Sequence, residues 1–382
     1  MIKEFDRIIG YEDIKAELER YIDIMKNPDK YSAFGVSLPH GVLLHGMAGI
    51  GKSTLAECFI NASGRKVFIC RKDKSNGDFI NDLRSTFEQA AENEPSIIML
   101  DDMDKYANED EFHRNAEAYV TVQACMDKVK AKDVFIIATA NDLRALPGSL
   151  LRVGRFDKCI NMQPPGGDDA VRIVEYYLNK KSFVGDVDAK EISRILGGSS
   201  CAELESVIND AGILAAFRNA EKIEMKDIIK ACLRLIYKAP ESVDSMNSGT
   251  LESVAYHEAG HTVVGWILSP GSINLVSIGN YHGDIKGVTS HFKGEGYLHS
   301  KMLMENRIKM MLGGRAASEI VYGIPDVGAN SDINKAMDIV ERFVDNYCFY
   351  GFDRFELDDP SDALLQRREE LIYTEMERYY QE

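Results

Sequence analysis

The segment from Gly46 to Ser53, GMAGIGKS, constrains the fold of this chain more than any other feature. It fills the pattern G-x-x-x-x-G-K-[ST] and lies between the apolar run Val42 to Leu44 and a helical pattern over Thr54 to Ala62. In a strand, glycine-rich loop and helix of this kind, backbone N–H groups turn inward and the helix N-terminus adds partial positive charge. The pattern therefore predicts a phosphate-binding loop in an α/β domain.

The residues of this loop have separate predicted roles. Lys52 is expected to reach the β and γ phosphates of ATP, and the hydroxyl of Ser53 is expected to ligate Mg²⁺. We expect the nucleotide to be bound by the following residues of the loop and the helix start: Gly46, Gly49, Ile50, Gly51, Lys52, Ser53 and Thr54.

Two carboxylates follow a second apolar run, Ile97 to Leu100, and are candidates for the same site. Carboxylates at strand ends are often only solvated caps, but a phosphate-binding loop upstream favours the nucleotide interpretation. Asp101 is then expected to hold the Mg²⁺ shell, and Asp102 to orient or activate the attacking water.

Polar residues after the next predicted strand extend the site. The strand from Val134 to Ala138 leads to Asn141, which is expected at the same sheet edge as a water-positioning residue. Arg152 and Arg155 lie in SLLRVGRFD. Two such arginines are usually solvated, but in an ATPase they are candidate arginine fingers, which can come from a neighbouring subunit.

Composition limits the class of partner and the compartment. The formal charge of −16 over 382 residues argues against a nucleic-acid partner, because it repels phosphate backbones. The N-terminus lacks the apolar core of a signal peptide, and no apolar stretch approaches membrane-spanning length. Seven scattered cysteines are typical of a reducing compartment. As written, the chain is expected to be soluble and cytoplasmic, with membrane contact only if an anchor is missing from it.

A second motif, YHEAGHTVV, lies in a predicted helix from Leu251 to Leu268. His257 and His261 are four residues apart, so both imidazoles project from one helix face and can bind one metal ion. Glu258 is the candidate base for the attacking water, and Zn²⁺ is the expected metal. The spacing alone leaves the third protein ligand open, with four candidates: His282, His291, Glu319 and Asp332.

Several segments together resemble known families. IIGYEDIKAELE, HGVLLHGMAGIGKST, IIMLDDMD, IIATAND and SLLRVGRFD, in this order, resemble an AAA+ ATPase. This resemblance implies a large α/β domain, a small helical lid over Asp168 to Leu235, and a ring of six subunits with the arginines acting in trans. It also implies adenine contacts near Ile9 and Gly10.

The downstream segments, HEAGH with LGGRAASEI and GANSDINKAMDIVERFV, resemble FtsH, the family of ATP-dependent zinc metalloproteases. The resemblance runs from about Ile8 to Val344. It implies that Asp332 is the third zinc ligand, and Glu319 would then lie outside the metal's own ligands. It also implies a ring that unfolds and degrades unfolded or tagged proteins, with Zn²⁺, ATP and Mg²⁺ as cofactors.

We therefore predict a multidomain chain with an α/β P-loop AAA+ large domain, a small helical lid domain and a mainly α-helical zinc metallopeptidase domain. The predicted limits are 1–165 for the large domain, 166–238 for the lid, 239–250 for a linker of turn composition, and 251–382 for the peptidase.

The chain departs from the FtsH pattern at four points. Transmembrane helices are absent, the second acid of the strand-end pair is Asp102 instead of glutamate, and the family's C-terminal helices extend further than Glu382. The pore-loop region, RKDKSNGDF, has no aromatic residue at the matching place unless Phe79 serves in a shifted register. These departures keep an alternative open, a protein-remodelling AAA+ ATPase with weak or lost proteolysis.

Overall fold

A computed structural model of the chain describes residues 2–35, 38–73, 75–108, 116–152, 154–237, 248–278, 287–291, 300–324, 327–351, 355 and 361–382. The chain forms two compact units. The first comprises Met1–Ile173 and Gly198–Glu205, and the second comprises Val174–Gly197 and Ser206–Glu382. Among the helices within these ranges, none has the length and hydrophobicity that spanning a lipid bilayer demands.

The first unit is built on a parallel five-stranded sheet with the order β2-β3-β4-β1-β5. Its strands are β1 (Gly41–His45), β2 (Lys66–Cys70), β3 (Ser96–Leu100), β4 (Val134–Ala140) and β5 (Lys158–Asn161). All residues of β3 and β4 are buried, which is typical of a parallel sheet covered by helices on both faces.

Alternate residues of the strands pack into two separate apolar clusters, because successive side chains of a strand point to opposite faces. Leu43 and Ile98 lie in the cluster with α4 (Asn76–Glu92) and α5 (Ala116–Val129). Val42 and Ile97 lie in the cluster that contains the helices α1 (Glu12–Lys26) and α3 (Lys52–Ser63). A short helix, α2 (Pro28–Ser32), and 3₁₀ helices at Lys3–Arg7, Met103–Lys105 and Leu143–Ala145 complete this part of the chain.

Phe79, the aromatic residue considered for a shifted pore loop, lies in the core. It belongs to α4, is 2% exposed, and its ring centroid is 4.8 Å from that of Tyr106 in an edge-on arrangement. Removing such a ring from its packing would leave a large cavity. Phe79 is therefore a packing residue and does not present its ring at the surface.

The segment predicted as a helical lid is mainly helical. Its helices are α6 (Gly167–Asn179), α7 (Ala189–Ile195), α8 (Cys201–Phe217) and α9 (Met225–Leu235). The predicted domain limits stay predictions. Residues 239–247 of the predicted linker lie outside the described residues, and the next helix begins at Ser248.

The remainder of the second unit is mainly helical, with one antiparallel strand pair. Its elements are α10 (Ser248–Leu268), β6 (Ile273–Ile278), β7 (Gly287–His291), α11 (Lys301–Tyr322), a 3₁₀ helix (Val327–Ala329), α12 (Asn330–Asp345) and α13 (Asp362–Gln381). Ile308 of α11, Phe343 of α12 and Tyr379 of α13 belong to one apolar core. The predicted fold class, an α/β AAA+ domain with a helical lid and a mainly helical peptidase domain, is confirmed.

Candidate nucleotide site and metal centre

The phosphate-binding loop connects β1 to α3 with the backbone that its glycines allow. Gly46, Gly49 and Gly51 have φ values of 142°, 78° and 95°, which side-chain-bearing residues rarely adopt. A Cβ on Gly46 would lie 2.1 Å from the carbonyl oxygen of Met162, and one on Gly49 would lie 2.8 Å from the Cβ of Ala202. The loop therefore packs closely between the end of β5 and the start of α8. The amide of Ala202 also donates to the carbonyl of Gly49 at 3.1 Å.

Lys52 connects the loop to the neighbouring strand end. Its Nζ donates to the carbonyls of Gly46 and Met47, both at 2.8 Å, and to Oδ1 of Asn141 at 2.9 Å. Burial lowers the pKa of Lys52 despite the carboxylates nearby, of which Asp102 has the largest effect. The structure thus brings the predicted phosphate-binding lysine and the predicted water-positioning asparagine into direct contact.

Asp101 lies at the end of β3 beside the predicted Mg²⁺ ligand Ser53. Its Oδ1 accepts hydrogen bonds from Ser53 Oγ at 2.9 Å and from Thr139 Oγ1 at 2.7 Å, and its Oδ2 accepts one from Arg71 Nε at 2.9 Å. Burial by itself would raise the pKa of Asp101, but the hydrogen bonds from Thr139, Arg71 and Ser53 hold it below the usual value. This carboxylate is therefore ionised, as a magnesium ligand must be.

Asp102, the predicted water-activating residue, has a left-handed backbone (φ 52°, ψ 50°), a conformation that aspartate tolerates better than most residues. Its amide donates to Thr139 Oγ1 at 2.8 Å, and its carboxylate pairs with Lys105 Nζ at 2.6 Å. Asp104, which sequence reasoning missed, accepts hydrogen bonds from the amide and side chain of Asn141 at 3.0 and 3.4 Å. The only sequence signal for Asp104 was its position in the run DDMD, two residues after Asp102.

The predicted adenine segment lies next to the phosphate-binding loop. Gly10 has a φ of 78°, and a Cβ there would lie 2.5 Å from Oδ2 of Asp169. The hydroxyl of Tyr11 donates to the carbonyls of Gln163 at 2.7 Å and of Ile50 at 3.3 Å. Ile9 is half-buried beside them.

The two candidate arginine fingers have different surroundings. Arg155 donates to Oδ2 of Asp127 at 2.9 Å and to the carbonyl of Ser149 at 2.5 Å, whereas Arg152 is exposed. Within the chain, Arg155 therefore belongs to a local ion pair. Among the described residues, neither guanidinium forms a hydrogen bond with the phosphate-binding loop.

The metal centre is built on α10, where His257 and His261 face the same way. Their Nε2 atoms are 3.0 Å apart, and Oδ2 of Asp332, from α12, lies 3.5 Å from the first and 3.4 Å from the second. One atom from each of the three side chains lies within 4.8 Å of the others, as binding of a single ion requires.

The surroundings of these side chains fit a zinc ion. Nδ1 of His261 is 2.7 Å from the carbonyl of Met310; donation from Nδ1 leaves Nε2 of the neutral ring with the lone pair that a metal needs. A Cβ on Gly314 of α11 would lie 2.6 Å from the Nε2 atoms of both histidines, so the glycine keeps space open beside them. Two imidazoles and a carboxylate with further coordination left open are the ligand set of catalytic zinc sites.

Charges at this centre are strongly coupled. Burial alone would raise the pKa of Asp332, but hydrogen bonds from His257 and His261 hold it far below the usual range. Burial lowers the pKa of His261, but Asp332 and the Met310 carbonyl outweigh this, so the pKa is raised overall. The ionised Asp332 carboxylate is thus the anionic ligand available at this centre.

Glu258 is buried next to the first histidine and is held by a residue that sequence reasoning missed. Thr289 Oγ1, on β7, donates to Oε2 of Glu258 at 2.6 Å. No sequence motif marks this threonine, because the contact arises from the packing of the β6–β7 pair on α10.

The other candidates for the third ligand do not join the histidines where they are described. Glu319 accepts a hydrogen bond from the hydroxyl of Tyr380. His282 and the side chain of His291 lie outside the described residues.

Comparisons with known proteins agree with this pair of sites. Residues 42–164 match the family model "ATPase family associated with various cellular activities (AAA)", and residues 245–366 match "Peptidase family M41". The ATP-dependent zinc metalloprotease FtsH 2 of Thermoanaerobacter sp. (strain X514) is 31% identical over 356 residues, which are 90% of this chain and 69% of that protein.

Plant relatives give the same result. The chloroplastic ATP-dependent zinc metalloproteases FTSH 1 of Oryza sativa subsp. japonica and FTSH 5 of Arabidopsis thaliana are 31% and 30% identical over 90% of this chain. The chain spans only 53% and 51% of these two proteins. On the match to the bacterial protein and to both domain models, the chain belongs to the FtsH family of ATP-dependent zinc metalloproteases.

Proposed function

We propose that this chain uses ATP hydrolysis in its AAA+ domain to unfold proteins and cleaves them at the His257–His261–Asp332 centre. The observation that carries the proposal is the convergence of two imidazole Nε2 atoms and one carboxylate oxygen beside the buried Glu258. Metallopeptidases hydrolyse peptide bonds with a metal-binding cluster next to a carboxylate base. Unfolded or tagged proteins are the proposed substrates.

In the peptidase site, His257, His261 and Asp332 would hold Zn²⁺. When bound, the ion supplies Lewis-acid chemistry, which lowers the pKa of water and polarises the peptide carbonyl. Glu258 accepts the proton of the attacking water and later passes it to the leaving amine. The hydrogen bond from Thr289 to one carboxylate oxygen of Glu258 fixes its orientation and leaves the second oxygen for this proton.

In the ATPase site, Lys52 would bind the β and γ phosphates, and Ser53 and Asp101 would hold Mg²⁺. Lys52 Nζ donates to Gly46, Met47 and Asn141, so at least one of its three donors would exchange its protein partner for a phosphate oxygen when the nucleotide binds. Asp102 and Asn141 would position the attacking water. Arg152 and Arg155 are proposed to act on the nucleotide of a neighbouring subunit in a homo-oligomeric ring, with six subunits as the proposed number.

The proposed place of action is the cytoplasm. All seven cysteines are free thiols, and Cys58, Cys70, Cys125 and Cys232 are buried. Buried free thiols are typical of proteins in reducing compartments.

Cleavage of casein with and without ATP tests the proposal. The unchanged chain should contain about one zinc ion per subunit and should degrade casein faster with ATP. Glu258→Gln should abolish peptide hydrolysis but retain zinc and ATP turnover, since the histidines and Asp332 are intact. Lys52→Ala should lose ATP turnover and the ATP stimulation.

The second candidate is a protein-remodelling ATPase with weak or lost proteolysis. Two observations favour it. Asp102 occupies the position where the family usually has glutamate. Phe79 is buried and therefore cannot contact a substrate in the pore. ATP turnover without casein cleavage, in protein that contains zinc, would support this candidate and contradict the first.

A further inference from the structure

Arg71 contacts the carboxylate that is proposed to hold magnesium. It is the first residue after β2, and the register that pairs Cys70 with Leu100 places it beside Asp101, the first residue after β3. Its Nε lies 2.9 Å from Asp101 Oδ2, and its Nη2 contacts the same oxygen. The Arg71 side chain is 62% exposed, whereas that of Asp101 is 2% exposed.

The two oxygens of Asp101 have different partners. Oδ1 accepts hydrogen bonds from the hydroxyls of Ser53 and Thr139, and Oδ2 accepts those of Arg71. A buried carboxylate without a cation is costly, so Arg71 stabilises the ionised Asp101. Because most of its side chain is exposed, Arg71 can leave Asp101 without losing a buried position.

Magnesium and Arg71 need the same carboxylate. Mg²⁺ requires a close, nearly ideal octahedral set of oxygen ligands, which a guanidinium on the same oxygen would disturb. Two cations at one carboxylate also repel each other. Mg²⁺ must therefore break the Arg71–Asp101 pair when it binds, and the free energy of that pair weakens Mg²⁺ binding.

We propose that Arg71 is an internal counter-cation of Asp101 that competes with Mg²⁺ and weakens the magnesium-dependent part of nucleotide binding. This inference rests on the nucleotide site of the proposed function. When no nucleotide is bound, Arg71 keeps Asp101 ionised and paired. Mg²⁺ must displace Arg71 from Asp101 when it binds with ATP.

The test measures nucleotide affinity without turnover. Isothermal titration calorimetry of the full chain with the non-hydrolysable analogue AMP-PNP gives one Kd in excess Mg²⁺ and another in EDTA. The ratio Kd(EDTA)/Kd(Mg²⁺) measures the benefit of magnesium. Arg71→Gln should raise this ratio about threefold to tenfold, as expected from removing a half-exposed competing ion pair.

The matched control is Arg65→Gln. Arg65 precedes the same strand and pairs with Asp133, with Nη1 at 2.6 Å from Oδ1, at the opposite end of β2. Its loss removes the same charge and a similar ion pair, but not one that contacts Asp101. The ratio should therefore stay at the value of the unchanged chain.

An unchanged or smaller ratio in Arg71→Gln would overturn the inference; a smaller one would mean that Arg71 assists magnesium or the phosphates. Circular dichroism establishes that each variant is folded. If Arg71→Gln does not fold, Arg71→Met decides, because it keeps the apolar part of the side chain and removes the charge, and its ratio should also exceed that of the unchanged chain. If the unchanged chain does not bind AMP-PNP in Mg²⁺, the nucleotide site of the proposed function fails, and the inference fails with it.

Discussion

Gly260 of α10 and Gly313 of α11 are in backbone contact: a Cβ on Gly260 would lie 2.1 Å from the carbonyl oxygen of Gly313. A Cβ on Gly313 would lie 2.8 Å from the carbonyl oxygen of Gly260, so neither position has room for a side chain. This close crossing brings the next residue of α11, Gly314, against the metal-binding histidines. Packing between two helices thus determines the geometry of the metal centre.

Gly260→Ala is expected to destabilise the peptidase part of the chain by about 1–3 kcal/mol, because the added methyl group forces the two helices apart. Urea unfolding followed by the fluorescence of Trp266, the only tryptophan and a residue of α10, measures this effect. Gly212→Ala in α8 is the control, because its Cβ would lie 3.5 Å from Cδ1 of Ile223, an ordinary van der Waals contact. Equal urea midpoints for the two variants would contradict the close crossing.

Gly314→Ala is expected to weaken zinc binding about 10-fold to 100-fold, a loss typical of disturbing the immediate support of a metal site. The reason is the 2.6 Å separation between the new Cβ and both Nε2 atoms. Competition with a chromophoric chelator measures zinc affinity, and ATP turnover should be unchanged. Full zinc affinity in this variant would show that the space beside the histidines is not part of the site.

Asp332→Ala is expected to lose stoichiometric zinc, since only His257 and His261 would remain as ligands. Glu319→Ala should keep it, because Glu319 is engaged by Tyr380. Metal analysis of both proteins after dialysis gives the answer. The opposite pattern would mean that Asp332 is not the third ligand.

Arg155→Ala is expected to bind ATP but to lose roughly 10³-fold or more in turnover, if Arg155 stabilises the transition state across a subunit interface. Mixing it with Lys52→Ala should restore some turnover, because a mixed ring can combine an intact phosphate-binding loop with a neighbour's intact arginine. Asp127→Asn is the control: it breaks the ion pair of Arg155 without removing the guanidinium. Equal losses in Arg155→Ala and Asp127→Asn, with mixed rings inactive at every ratio, would assign Arg155 a purely structural role.

Asp102→Glu is expected to raise kcat for ATP at similar KM. Aspartate is one methylene shorter than the usual glutamate, and a misplacement of about 1 Å can cost roughly a hundredfold in rate. Steady-state ATP hydrolysis measures both constants. An unchanged or lower kcat would instead show that the backbone of Asp102, held by the hydrogen bond to Thr139, already positions the shorter carboxylate well.

Local patterns in the sequence were sufficient for the chemistry that depends on neighbouring residues. GMAGIGKS predicted a phosphate-binding loop because glycine conformations and the helix N-terminus are local properties. His257 and His261 were predicted to bind one ion because residues four apart share a helix face. The apolar runs before Gly46 and Asp101 likewise predicted buried strands of an α/β domain, because strands covered on both faces read as continuous apolar runs.

Contacts between distant segments were decided by the tertiary structure. Asp332 was only one of four candidates by spacing, and the packing of α12 places its carboxylate at the histidines. Arg71, Thr289 and Gly314 belong to no motif that predicted their contacts, because those contacts depend on strand register, on the β6–β7 pair and on the crossing of α10 with α11. These arrangements arise from the packing and pairing of distant segments within each unit, which no local sequence pattern encodes.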